Sequence, residues 1–165
     1  IGYNIWIFTS FFIDGYSNAG NALAGKFLGE KNNSKLKTLG NILLKTNIKI
    51  SLILVALYGI TYQFIGNLFN QDIEVNNIFL GTFWIVIIAQ PFNAIAFTFD
   101  GIFKGLGRAI ELRNTLTVAT FIVFIPTIYL LNYLESGIYC IWTSLTLWMI
   151  FRGGSLFYIF RKTVK

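Results

Sequence analysis

Two aspartates stand inside runs that are otherwise apolar: Asp14 in FFIDGYSNAGN (residues 11–21) and Asp100 in FTFDGIFKGLG (residues 97–107). A carboxylate in poorly hydrated surroundings holds a proton more readily than one in water, so it can load a proton on one side of a barrier and release it where hydration increases. Inside a membrane such a group is costly, and ion or proton transport is its commonest role. The polar residues around each aspartate recur at helical spacing. Asp14, Ser17, Asn18, Asn21 and Gly25 fall at i, i+3, i+4, i+7 and i+11, and Gln90, Asn93, Phe97, Asp100 and Lys104 at i, i+3, i+7, i+10 and i+14, so each set forms one stripe of a helix. Two striped helices in one bundle imply a shared wet cavity, a substrate or cation site, because amides and carboxylates facing lipid would go unsolvated. The same amides can serve as interhelical glue, and an aspartate can lock packing as an ion pair. For Asp100 the basic residue one turn away is Lys104.

The helices that must carry these stripes are legible from composition. Of 165 residues, 55% are hydrophobic and 12% charged, which marks an all-α, polytopic membrane protein rather than a soluble domain. Five apolar segments, 3–28, 48–69, 78–103, 115–133 and 137–160, each approach the ~20 residues that a helix needs to cross about 30 Å of hydrocarbon. They are too long, and too little alternating, for strands of an outer-membrane barrel. The net charge of +6 is spread along the chain with no contiguous basic face, which excludes nucleic acid as a partner and leaves membrane lipid.

The charges instead encode topology. The stretch between the first two segments holds Lys31, Lys35, Lys37 and Lys45, the third linker Lys104, Arg108 and Arg113, and the tail RKTVK, whereas 70–77 and 132–136 have no Lys or Arg. The positive-inside rule then places the first, third and last on the cytoplasmic side, the C-terminus included, and the N-terminus outside. The expected location is a bacterial plasma (inner) membrane. The chain begins IGYNIWIF, with neither Met nor a basic leader, so it is expected to be a fragment whose upstream helices are missing. Trp6, Trp84 and Trp142 fall near the outer ends of their segments, as interfacial aromatics do.

Several residues are read as structural. Pro91 removes a backbone hydrogen bond and is expected to kink its helix near Asn93 and Asp100. Gly25 with Gly29, and Gly101 with Gly105, have the small-xxx-small spacing that lets helices approach closely. Arg152 lies about 8 residues, ~12 Å, from the inner end of its segment, where it either snorkels or pairs with a buried acid. With no His and a single cysteine, Cys140, neither a zinc site nor an internal disulfide is expected, and Asp72 with Glu74 is too thin a pair for magnesium. No cofactor, no metal and no enzymatic activity are expected.

Four stretches together carry a family resemblance: FFIDGYSNAGNALAGKFLGEKN, FNQDIEV, AQPFNAIAFTFDGIFKGLG and IWTSLTLWMIFR. They resemble the C-terminal half of a MATE (multidrug and toxic compound extrusion) transporter, nearest its DinF-like branch. The resemblance implies helices eight to twelve of a twelve-helix protein, most of one six-helix lobe, with the N-terminal lobe as partner. It also implies a cation-coupled antiporter that extrudes organic, often cationic or amphipathic, compounds by alternating access. One branch of that family has a tyrosine one turn before the acid matched by Asp100, and Ala96 stands there instead. A proton is therefore the expected coupling ion, ahead of sodium. Aromatic walls, including Phe97 and Tyr16, would hold substrates by stacking and cation–π contact. The alternative is a lipid-linked oligosaccharide flippase of the wider superfamily, which should have several arginines in its spans where this chain has Arg152.

Overall fold

A computed structural model describes residues 2–69, 72–134 and 137–164. Five helical rods account for almost all of them: α1 (Gly2–Gly29), α2 (Asn33–Phe69), α3 (Ile73–Gly105), α4 (Ala109–Tyr133) and α5 (Tyr139–Thr163). The all-α membrane fold expected from composition is present. In α2, α3 and α4 the helices are long and apolar enough to cross a membrane. The other two, of 28 and 25 residues, match that length, since 25 residues rise about 37 Å. Their polar residues, Asp14, Asn18 and Asn21 in α1 and Arg152 in α5, dilute their apolar character.

The largest correction to the segment boundaries is in α2, which begins at Asn33 rather than near residue 48. What reads as a lysine-rich linker is mostly helix, with a reversal of only three residues. Asn32 N–H bonds Phe27 O at 3.0 Å and Lys31 turns into the left-handed region (φ 52°), a Schellman closure of α1. The Asn32 side chain then caps α2 by accepting from Lys35 N–H at 3.0 Å. Leu36, Leu39 and Leu43 are buried at helical spacing while Lys35, Lys37 and Lys45 stay exposed, so the charges ride on the outer face of a helix. Asp72, at the opposite turn, caps α3 by accepting from Glu74 N–H at 2.9 Å.

The central helix is α3, packed against α1, α2 and α5, with α4 lying against α5. Gly101 and Gly105 set the α1–α3 distance. A Cβ at Gly101 would run into the backbone oxygen of Ser17, and one at Gly105 into that of Asn21. Gly25 faces the Gly105 carbonyl, but a Cβ at Gly29 would meet open space. The α3 helix runs unbroken through Pro91, where Gln90 Nε2 adds a bond to Val86 O at 3.0 Å in the preceding turn. It is Pro126 that follows a break in α-helical geometry: residues Ala119–Phe124 of α4 form a π segment just before it. Proline cannot donate and crowds the preceding turn, and a wider turn relieves both.

Two apolar clusters occupy opposite ends of the bundle. One gathers Ile5, Leu54, Tyr58, Phe79, Phe83 and Val86; the other includes Leu36, Leu39, Phe99, Phe103, Leu156 and Phe160. Along their helices, the buried Ser17, Asn47, Ser51, Gln90, Asn93, Thr98 and Ser144 all fall between the two sets, so a polar layer crosses the middle of the bundle. Replacing Gly101 by Ala should lower the stability of the detergent-solubilised protein by about 1–3 kcal/mol, because backbone must move. Gly29→Ala should be neutral or slightly stabilising; thermal unfolding of the two variants, compared with the parent, measures both.

Candidate functional site

Asp100 lies at one edge of the polar layer and is 4% exposed. Its Oδ2 accepts from Arg152 Nη2 of α5, forming an ion pair whose side chains are 6% and 13% exposed. Lys104, the candidate for a structural ion pair one turn away, is exposed and makes no ion pair among the described residues, although its charge, like that of Asp14 in α1, reaches Asp100. Of the two readings open for Arg152, pairing with a buried acid is the one realised. The guanidinium also lies over the Trp148 ring, 5.2 Å from its centroid, and Trp148 Nε1 donates to Thr120 Oγ1 in the π segment at 3.2 Å. Charge pair, indole and widened turn thus form one contiguous chain from α3 through α5 to α4.

The pair is incompletely bonded. Asp100 Oδ1 and Arg152 Nε are both buried with no hydrogen-bond partner among the described residues, and so is Asn93 Oδ1 two turns along α3. Asn93 Nδ2 reaches Gln90 Oε1 at 3.5 Å, a weak contact. Phe97, half-buried, touches the Trp6 ring of α1 with centroids 6.5 Å apart. The Gln90, Asn93, Phe97 and Asp100 stripe therefore runs along α3 where it meets α1 and α5.

The stripe on α1 divides. Asp14 and Asn21 are half-buried on the side of this seam, and Asn18 and Tyr16 are exposed. Ser17 instead turns into the core, where Asn47 Nδ2 donates to Thr98 Oγ1 at 2.7 Å and to Ser17 Oγ at 3.4 Å. This knot joins α1, α2 and α3, with Thr98 and Ser17 in turn donating to the carbonyls of Ala94 and Ile13. Asn47 escaped the sequence reading because it lies in the stretch taken as linker. The spacing of Leu36, Leu39, Leu43 and Asn47 is the signal that places it on a core-facing helical stripe. A separate cleft of about 270 Å³ opens at the Tyr58 end, among Tyr3, Val75, Ile78, Phe79, Thr82 and Trp142, and carries no charged residue.

The MatE family model matches residues 1–134, which span α1 to α4. The chain belongs to the MatE family. Among its relatives, Protein DETOXIFICATION 42 of Arabidopsis thaliana is 26% identical over 150 residues, 91% of this chain and 29% of that protein. DNA damage-inducible protein F of Escherichia coli (strain K12) is 26% identical over 155 residues, 94% of this chain and 33% of that protein. Protein DETOXIFICATION 45, chloroplastic, of Arabidopsis thaliana is 28% identical over 102 residues, 62% of this chain and 18% of that protein. The chain therefore spans about a third or less of the length of these relatives. No solved structure matches it. Membership in the MatE family and the long apolar helices make it a multi-pass membrane protein. Asp14 and Asp100 of this MatE chain lie within the matched residues, whereas Arg152 lies beyond them.

The Asn47 knot generates a test independent of transport. Asn47→Leu removes the donor shared by Ser17 and Thr98 and should cost about 0.6–2 kcal/mol, the range for interhelical hydrogen bonds in membranes. Thermal unfolding in detergent should register the loss, with Thr98→Val giving a smaller drop in the same direction.

Proposed function

We propose that this chain is the C-terminal portion of a cation-coupled antiporter that extrudes organic, often cationic, compounds across a plasma membrane by alternating access. The observation that carries the reading is the Asp100 carboxylate, buried at mid-bundle beside a second acid, Asp14, in a MatE-family helix bundle. A buried acid whose charge is compensated only by mobile or releasable cations changes the affinity of its site for a cationic solute each time it gains or loses a proton. Proton coupling is favoured over sodium. Ala96, one turn before Asp100, is fully buried and offers no side-chain oxygen, and its backbone packs against Gly153. The flippase reading gains nothing, because a pyrophosphate headgroup calls for several arginines in the spans and Arg152 is the one that the expected spans hold.

In the full-length transporter, Asp100→Asn preserves shape and removes the charge. Export of a cationic dye from membrane vesicles should fall at least about tenfold while the protein still accumulates, the change expected when a charge-dependent binding step is lost. Unchanged export would overturn the reading. Because the ion partner is Arg152 rather than Lys104, a purely structural role would appear as loss of folded protein, with folding and export both restored by Asp100→Asn combined with Arg152→Met.

Orientation has its own test. The basic residues Lys26, Lys31, Lys35 and Lys37 flank the α1–α2 turn, and Asp72 and Glu74 flank the next. A cysteine at Asn77 should react with an impermeant thiol reagent added from outside and one at Asn33 should not, in a background carrying Cys140→Ser. The opposite pattern would invert the bundle.

A further inference from the structure

The Asp100–Arg152 pair has an unusual form for a packing device. A guanidinium can bind a carboxylate through two parallel hydrogen bonds, which is the geometry expected where a pair exists to hold helices together. Here one bond is made, and Asp100 Oδ1 and Arg152 Nε are left buried without partners among the described residues. Arg152 also has an alternative seat already in contact, the face of Trp148. That ring is held in turn by Thr120, so it stays in place if the guanidinium leaves Asp100. The other charged groups facing Asp100 are Lys104 on its own helix and Asp14 from α1, and neither replaces the contact that Arg152 makes.

We propose that Arg152 is a built-in competitor for the cation site at Asp100: a tethered organic cation that occupies the carboxylate until an exported cation displaces it onto Trp148. The inference rests on the antiporter reading above and adds to it a selectivity-determining residue. A planar, delocalised, weakly hydrated guanidinium resembles the aromatic and amidinium-like cations such a site would take far more than it resembles a small inorganic ion. Displacement exchanges one such cation for another at Asp100, so the layer is never left with an uncompensated buried carboxylate. It also sets a threshold, because the apparent affinity for any cation is reduced by the fraction of time that Arg152 holds the seat. An uncharged compound bound to the aromatic walls has no such competitor.

The test measures equilibrium binding of ethidium, an aromatic monocation, and of Nile red, an uncharged aromatic dye, to the purified full-length transporter and its variants. Arg152→Gln should tighten ethidium binding about tenfold, the gain expected when a competitor that occupies the site nine-tenths of the time is removed. Nile red binding should be unchanged, and Arg152→Lys, which keeps a tethered cation, should stay near the parent for both dyes. Weaker or unchanged ethidium binding in a folded Arg152→Gln protein would overturn the proposal while leaving the antiporter reading intact. A parent protein that neither binds nor exports any organic cation would overturn both. Should Arg152→Gln fail to fold, the parent protein decides the matter. Saturating ethidium should raise modification of Arg152 by phenylglyoxal severalfold, read by mass spectrometry, and unchanged or reduced modification would overturn displacement.

Discussion

The bundle is organised around a largely buried charge pair. Asp100 and Arg152 are carried by α3 and α5, the central helix and its neighbour, and each is tolerable at that depth only because of the other. Removing one partner of such a pair leaves a buried charge and typically costs about 3–5 kcal/mol, so with the pair formed α3 and α5 are held in one register. That requirement propagates outward. Gly153, beside Arg152, lies against the backbone of Ala96, and Phe157 and Phe160 close on Phe99, so the packing of α5 on α3 repeats the register that the charges impose. On the other flank, Gly101 next to Asp100 admits the backbone of α1 at Ser17, which brings Asp14 to the same seam.

A middle layer of polar groups between two greasy ends has a mechanical meaning. Apolar contacts are non-directional and tolerate sliding, whereas hydrogen bonds and ion pairs have discrete alternatives. The clusters around Phe83 and Phe103 lie on either side of a layer whose contacts are directional. In the Asn47 knot the donors of Ser17, Asn47 and Thr98 are engaged, while Asn47 Oδ1 is left without a partner among the described residues. The Asp100–Arg152 seam likewise has polar atoms left over on both partners, and in addition holds the charges.

Much of this was legible in the residues themselves. The five helices, the stripe from Gln90 to Asp100 and the close approach at Gly101 and Gly105 follow from periodicity and residue size, which act locally and are visible in one dimension. The start of α2 was not, because a run containing Lys35, Lys37 and Lys45 reads as linker when hydropathy is averaged. Only the phase of its leucines separates a charged outer face from a buried inner one. The partner of Asp100 was not legible either. Lys104 is adjacent in sequence, but the helix carries its amine to the exposed end while the fold brings a residue 52 positions away to the carboxylate. Gly29 shows the converse, a packing motif in sequence with no neighbour in space.

The π segment of α4 has a consequence for how the outermost helix is built. A π turn holds an extra residue relative to an α turn, so the helix face is rotated as the chain passes through Ala119–Phe124. Before it, Thr115 is buried, and Ala119 at its start is fully buried; after it, Ile125–Tyr133 has no buried residue. One rod thereby passes from a stretch with buried positions to one with none, without a loop in between. Tyr129, Leu130 and Tyr133 are exposed beyond it, and the joint at which the phase changes is the one that Trp148 bonds through Thr120. Rewinding those six residues to α geometry would rotate the far half of the helix about its axis and change which residues it turns toward α5, while both ends of α4 remain helical.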